Sequence, residues 1–150
     1  MMKKITLIAA SLLLLLPGIV RGDEFSLYGV KMGMPKEEVN ALWTFSEADG
    51  YQIPDSVLLN VIPEFDHRNR LYRLNFTIPI PLLDQYPGPY VTTAFQKAFQ
   101  ELYSTADQVV SIRTGRGTAD ITLTQKPLLE SYNEHVKAQM LIQLPILLRP

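Results

Sequence analysis

The stretch "LYRLNFTI" at residues 71–78 alternates apolar and polar side chains along its whole length. Tyr72, Leu74, Phe76 and Ile78 share one side, and Arg73, Asn75 and Thr77 share the other. A period of two residues predicts a β-strand with one buried face. The preceding stretch "VLLNVIPEF" (57–65) is joined to it by the polar connection "DHRNR", so the pair predicts an antiparallel hairpin.

The first strand of this hairpin has a less regular pattern. We expect Val57, Leu59, Val61 and Phe65 to share one face of it. Pro63 cannot donate a ladder hydrogen bond, which favours an edge strand or a β-bulge at that position.

Two further strand patterns follow later in the chain. "VVSIR" and "TADITLT" flank Gly115 and Gly117, which predicts a second hairpin with Ala119, Ile121 and Leu123 facing inward. Residues 136–144 also alternate and predict a last strand that ends at Pro145. Its inward residues would be Val136, Ala138, Met140, Ile142 and Leu144, and its outward residues Lys137, Gln139 and Gln143.

Two segments have helical periodicity instead. Pro35 at the first position, Glu37 and Glu38 in the first turn, and an apolar face ending at Trp43 predict a helix over about 35–44. We interpret Trp43 as a core anchor, with ligand stacking as the alternative. A longer stripe with period 3.6 predicts a second helix over about 90–104; it contains Val91, Ala94, Phe95, Ala98, Phe99, Leu102 and Tyr103.

These elements predict an α+β fold. The expected order is α-β-β-α-β-β-β, with an antiparallel sheet of about four to five strands and two helices packed on one face. A length of 150 residues, less a leader, suits one domain over residues 23–150.

Residues 1–22 have the pattern of a secretory signal peptide. Lys3 and Lys4 precede an apolar run from residue 5 to residue 16, and small or branched residues follow. We predict cleavage between Gly22 and Asp23 and a periplasmic or secreted location. The run of about 12 apolar residues is shorter than the roughly 20 that a membrane span needs, so an uncleaved anchor is the less favoured alternative.

Composition excludes several classes of partner and site. The sequence has no cysteine, so a lipid anchor, disulfides and thiolate metal sites are excluded. Loss of Lys3, Lys4 and Arg21 from the 14 basic residues leaves 11 against 15 acidic residues, a net charge of −4. Nucleic-acid binding needs a basic field, so we expect no nucleic-acid partner.

No strong catalytic or metal motif is present. The two histidines, His67 and His135, lie far apart in sequence without a second ligand nearby, and we predict no metal and no cofactor. Glu64, Asp66 and His67 at the tip of the first hairpin offer an alternative, a hydrolase or small-ligand site. "RTGRG" at 113–117 resembles an anion cradle, but a plain hairpin turn is preferred because a strand follows it.

The stretch "GVKMGMPKEEVNAL" and the later hairpin resemble small bacterial envelope proteins of the BLIP-like superfamily, which includes small outer-membrane-assembly lipoproteins. Gly33, Met34, Glu38 and Val39 match a helix-starting "G-M-[ST]-x-x-[EQ]-V" pattern, and Leu71 and Leu74 match the hairpin. Pro35 replaces the usual Ser or Thr, and the lipid-bearing cysteine is absent. The resemblance implies this fold and a habit of binding proteins.

The predicted function is therefore an exported, non-enzymatic protein-binding module with a protein partner in the cell envelope. The expected binding residues are those on the free face of the sheet: Arg73, Asn75, Lys137, Gln139 and Gln143. The apolar tail "LIQLPILLRP" at 141–150 continues past Pro145 with Ile146, Leu147 and Leu148, and is expected to fold back over a sheet edge or the first helix. A docking peptide for a partner is the alternative for this segment.

Overall fold

The computed structural model describes residues 19–20, 26–81, 89–115 and 117–149. The described chain is α+β, with three helices, a four-stranded antiparallel sheet and two smaller sheets. The strands are β1 (Ile19–Val20), β2 (Ser26–Leu27), β3 (Val30–Lys31), β4 (Thr44–Ser46), β5 (Gly50–Gln52), β6 (Leu59–Phe65), β7 (Leu71–Pro79), β8 (Gln108–Thr114) and β9 (Thr118–Gln125). The helices are α1 (Lys36–Leu42), α2 (Pro89–Tyr103) and α3 (Lys126–Leu147).

Both predicted hairpins are confirmed and form the main sheet in the order β6-β7-β9-β8. Strand β7 pairs with β9 in continuous antiparallel register from Arg73↔Thr124 to Pro79↔Thr118. Strands β8 and β9 pair without interruption from Gln108↔Gln125 to Thr114↔Ala119. The two strands with the clearest alternation, β7 and β9, therefore lie at the centre of the sheet.

The hydrophobic core lies between one face of this sheet and the helices. Leu74, Phe76 and Ile78 of β7 are at most 1% exposed, as are Ala119, Ile121 and Leu123 of β9. Helix α2 covers this face with Phe95, Ala98, Phe99 and Tyr103, as its periodicity predicts. Trp43, directly after α1, is 2% exposed within the same cluster, which confirms its role as a core anchor.

Strand β6 departs from the expected inward face. Val61 is buried, but Val57 and Leu59 are more than half exposed. The register of β6 on β7 shifts between Leu59 and Ile62, and Asn60 has a positive φ of 52°. A β-bulge reverses the alternation because one extra residue stands opposite the partner strand.

The entry into α1 docks on the tip of the first hairpin. The N–H of Gly33 donates to the carbonyl of Leu71 at 2.7 Å, and the N–H of Lys36 donates to that of Asn69 at 2.8 Å. Gly33 has a φ of 86°, a conformation that favours glycine. Pro35 caps the helix without a side-chain hydrogen bond. The segment 33–36 thus fixes helix α1 to the hairpin.

The predicted last strand over residues 136–144 is wrong, because residues 126–147 form the 22-residue helix α3. Pro127 lies in its first turn, where a missing N–H costs nothing. Pro145 lies inside the helix instead of ending a strand. Lys137, Gln139 and Gln143 are therefore helical and do not belong to the sheet.

The leader prediction falls almost wholly outside the described residues. Strand β1 is the described part of it and pairs as Ile19↔Leu27 and Val20↔Ser26. The cleavage position between Gly22 and Asp23 lies outside them and stays a prediction.

Candidate functional site

A layer of polar side chains covers the face of the main sheet that is turned away from the core. We call this surface the polar face. It consists of Arg73, Asn75 and Thr77 on β7, Asp120, Thr122 and Thr124 on β9, and their cross-strand neighbours on β6 and β8. Arg73 and Asn75, two of the five predicted binding residues, lie on it as expected. Exposed Ser111 and Arg113 extend it across β8.

Asn75 is the centre of a hydrogen-bond network on this face. Its Nδ2 donates to Oε2 of Glu64 at 2.9 Å and to the carbonyl of Ile62 at 3.1 Å. Its Oδ1 accepts from the hydroxyl of Thr122 at 2.9 Å. One side chain thus joins β6, β7 and β9 and is held in a single orientation.

Two further groups of contacts flank Asn75. Toward one end of the strands, the hydroxyl of Thr77 donates to Oδ1 of Asp120 at 2.7 Å. Toward the other end, Arg73 lies 3.9 Å from Glu64. The guanidinium carbon of Arg73 lies over the Tyr72 ring, 5.5 Å from the centroid of that ring. Burial, with a smaller contribution from the charge of Glu64, raises the pKa of Tyr72.

The residues of the hairpin tip have structural contacts. The Asp66 carboxylate is buried and accepts the backbone N–H groups of Arg68 and Arg70, each at 2.9 Å. Glu64 is bound to Asn75 and paired with Arg73. His67 is exposed and stacks on His135 of α3. Each of the three residues of the alternative hydrolase site therefore has a structural contact of its own: Asp66 in the turn, Glu64 in the sheet network and His67 with helix α3.

The two histidines of the chain meet although 67 residues separate them in sequence. Their ring centroids are 4.1 Å apart and their planes differ by 5°. Imidazole lone pairs lie in the ring plane, so rings stacked face to face do not direct both nitrogens at one ion. Within the described residues, no group of three or more His, Asp or Glu side chains is placed to hold a metal.

Helix α3 is anchored to the body through its first half alone. Tyr132 packs on Tyr72 with ring centroids 5.1 Å apart, and His135 stacks on His67. Leu128, Leu129 and Val136 are half-buried, whereas every residue from 137 to 149 is exposed. Lys137, Gln139 and Gln143 lie on this projecting half, away from the polar face.

An open groove of about 550 Å³ lies between β5 and β6. Its lining includes Tyr51, Leu58, Leu59 and Ile62, and Asp49 is the one charged residue among those that line it. The groove does not include Glu64, Asp66 or His67. It is called the β5–β6 groove below.

The histidine stack, the β5–β6 groove and most of the polar network were not predicted from the sequence. Glu64, Thr122 and Asp120 become neighbours of β7 residues only through the strand register, which alternation alone does not fix. A signal for α3 was present in Leu128, Leu129, Tyr132 and Val136, which recur at helical spacing after Pro127.

No helix among the residues that the structure describes is long and apolar enough to cross a membrane. Comparisons with protein-family models, curated proteins and solved structures found no match to this chain.

Proposed function

We propose that this protein is an exported, non-enzymatic module of the cell envelope that binds a protein partner through its polar face. The observation that carries the proposal is the network centred on Asn75, which spans three strands on the face away from the core. The partner surface would be rich in amide and hydroxyl groups, because these complement the donors and acceptors at the edge of the network.

Preorganisation is the physical reason why such a face suits binding. Immobilising a rotamer-rich side chain at an interface costs about 0.5–1.5 kcal/mol. Asn75 and Glu64 are already held by hydrogen bonds in the free protein, so less of this cost remains when a partner arrives. Arg73 is held more loosely: its Nε donates to the hydroxyl of Thr124 at 3.4 Å, and its guanidinium lies 3.9 Å from Glu64.

The surroundings of the polar face also suit an interface. Val109 at one edge and Ile62 at the other are at least half exposed and flank the polar centre. Apolar residues beside fixed polar groups supply the area that association needs, and hydrogen bonds supply its specificity.

The binding function is preferred to a hydrolase at the hairpin tip because Glu64, Asp66 and His67 already have structural partners. A general acid or base needs access to the substrate proton that it transfers. The BLIP-like resemblance agrees with a binding role and stays a prediction.

A pair of matched variants tests the proposal. Asn75→Leu removes the centre of the network, and Gln100→Leu makes the analogous amide-to-leucine change at an exposed position of α2. The unfolding free energy of each variant is measured first. Each tagged variant is then purified from envelope extract together with the proteins bound to it. We expect Asn75→Leu to recover at least about tenfold less of a specific partner, the effect of roughly 1.4 kcal/mol. Equal recovery by both variants would contradict the proposal.

Export is tested separately. Val20→Lys places a charge close to the predicted cleavage position and should block processing. N-terminal sequencing of the wild-type exported chain should begin at Asp23. A mature chain that begins elsewhere would show that the cleavage assignment is wrong.

A further inference from the structure

The end of α3 is apolar on every side and has no partner within the described chain. We call residues 140–148 the α3 tip. Its exposed apolar residues are Met140, Leu141, Ile142, Leu144, Ile146, Leu147 and Leu148, at 45–78% exposure. A helix that is hydrophobic all round is normally buried, so this segment is expected to be covered in the assembled state.

The β5–β6 groove is a concave surface on the same chain. Leu59 and Ile62 on its lining are 51% and 56% exposed, and Ile53 and Val61 form its buried base. Its volume is about 550 Å³. The groove combines these apolar residues with polar lining residues such as Asp49, Gln52 and Asn60, whereas the α3 tip is apolar, and both surfaces are exposed to water.

We propose that the α3 tip of one copy of this protein docks in the β5–β6 groove of a second copy. Within one chain the tip is exposed, so it does not occupy its own groove. Leu141, Leu144 and Leu148 lie on one helical stripe, the pattern with which a helix fills an apolar groove. The contact joins two different surfaces and is therefore heterologous.

The charges beside the α3 tip and in the groove favour contact with a second copy of this protein over contact with a lipid bilayer. The segment 138–148 has no charged residue, so burying it in the groove of a second copy removes no charge from water. Arg149 follows the tip directly, and Asp49 lies on the lining of the groove, which gives one opposite-charge pair per contact. A lipid bilayer is a poorer occupant, since insertion of the tip would carry Arg149 into the hydrocarbon.

Two variants that each disable one surface test the proposal. Leu141→Asp disables the tip and Leu59→Asp disables the groove. Leu42→Asp is the matched control, because Leu42 is 46% exposed on α1 and belongs neither to the groove lining nor to the polar face. The molar mass of the purified exported chain is measured over a range of concentrations by sedimentation. Circular dichroism confirms that each variant is folded.

We expect the wild type and Leu42→Asp to self-associate equally. Leu141→Asp and Leu59→Asp should each weaken self-association at least about 30-fold, the effect of losing one hot-spot residue. An equimolar mixture of Leu141→Asp and Leu59→Asp should form a one-to-one dimer, because one intact tip meets one intact groove. The charge-swapped chain with Asp49→Arg and Arg149→Asp should associate more tightly than either single swap.

Three results would overturn the proposal. A wild type that stays monomeric at every concentration would show that the contact does not form. Binding of that monomer to phosphatidylcholine vesicles would then assign the tip to lipid. If Leu59→Asp still self-associates while Leu141→Asp does not, two tips pair with each other. A mixture that stays monomeric would show that the tip and the groove do not bind each other.

Discussion

The substitution Phe99→Ala probes the packing of α2 on the sheet. Phe99 is fully buried in the core cluster, and its ring contacts two aromatic neighbours on the same helix. The ring centroids of Phe95 and Tyr103 lie 6.1 Å and 4.7 Å from that of Phe99, and both pairs are tilted. Alanine removes the ring and leaves a cavity that the flanking strands close only in part.

The expected loss follows from these contacts. A buried Phe→Ala change costs about 3–5 kcal/mol. Each aromatic pair adds about 0.5–1.5 kcal/mol beyond area burial, which places this site in the upper part of that range. Since small domains have a total stability of about 5–15 kcal/mol, the variant would retain only a part of its stability.

The assay is urea unfolding followed by circular dichroism. The midpoint should fall while the slope m stays unchanged, because the unfolded state exposes nearly the same surface. Phe45→Ala is the control, since Phe45 is 54% exposed and should lose only about 1 kcal/mol through its contact with Tyr51. A loss below about 1 kcal/mol for Phe99→Ala would refute the placement of α2 over the core.

Three further predictions concern α3, Trp43 and alkaline pH. Truncation after Gln139 removes residues 140–150, and every described residue among them (140–149) is exposed. The unfolding free energy measured at low protein concentration should therefore change by less than about 0.5 kcal/mol. A loss above about 1.5 kcal/mol would show that the tail packs on the body. Trp43→Ala should lose about 3–5 kcal/mol in urea unfolding. Trp43→Phe should lose less, because the buried Nε1–H of Trp43 has no hydrogen-bond partner among the described residues and Phe removes that group; equal losses would contradict this. Burial raises the pKa of Tyr28, Tyr51 and Tyr72 above 10.0. The folded state therefore keeps these protons to a higher pH than the unfolded state does. The stability present below pH 10.0 should be lost as the pH rises above 10.0. Urea midpoints measured from about pH 9 to about pH 11 should fall less steeply in Tyr72→Phe, and an identical slope would exclude Tyr72 as a cause.

The parts of the fold that could be predicted are those in which local pattern and burial agree. Tyr72 to Ile78 alternate, and the inward residues from Leu74 onward are buried in the core cluster. Phe95 and Phe99 recur at helical spacing, and α2 buries both. In these segments one buried face imposes the period that the sequence displays.

Helix α3 was mistaken for a strand because its second half buries nothing. Between Val136 and Leu144 apolar residues stand at every second position, which satisfies a strand pattern by coincidence. No packing surface imposes a helical period there, so residues 140–148 are apolar on all sides. The expectation that this tail folds back onto the body is wrong, since every residue of the tip is exposed.

The candidate site could be predicted only in part for a related reason. The positions of Arg73 and Asn75 follow from the alternation of one strand, whereas those of Lys137, Gln139 and Gln143 depended on the strand that does not form. The partners of Asn75, on β6 and β9, depend on a register that includes the bulge after Leu59. Sequence periodicity does not determine where such a bulge falls.

Site-specific photo-crosslinking in living cells tests the central claim that the polar face binds a protein partner. A benzophenone side chain is placed at Ser111, which is exposed on the polar face opposite Thr122, and in a separate strain at Lys97, which is exposed on α2. The account predicts a discrete crosslinked product in the envelope fraction from Ser111 and none from Lys97. Absence of a product from Ser111, or the same product from both positions, would contradict it.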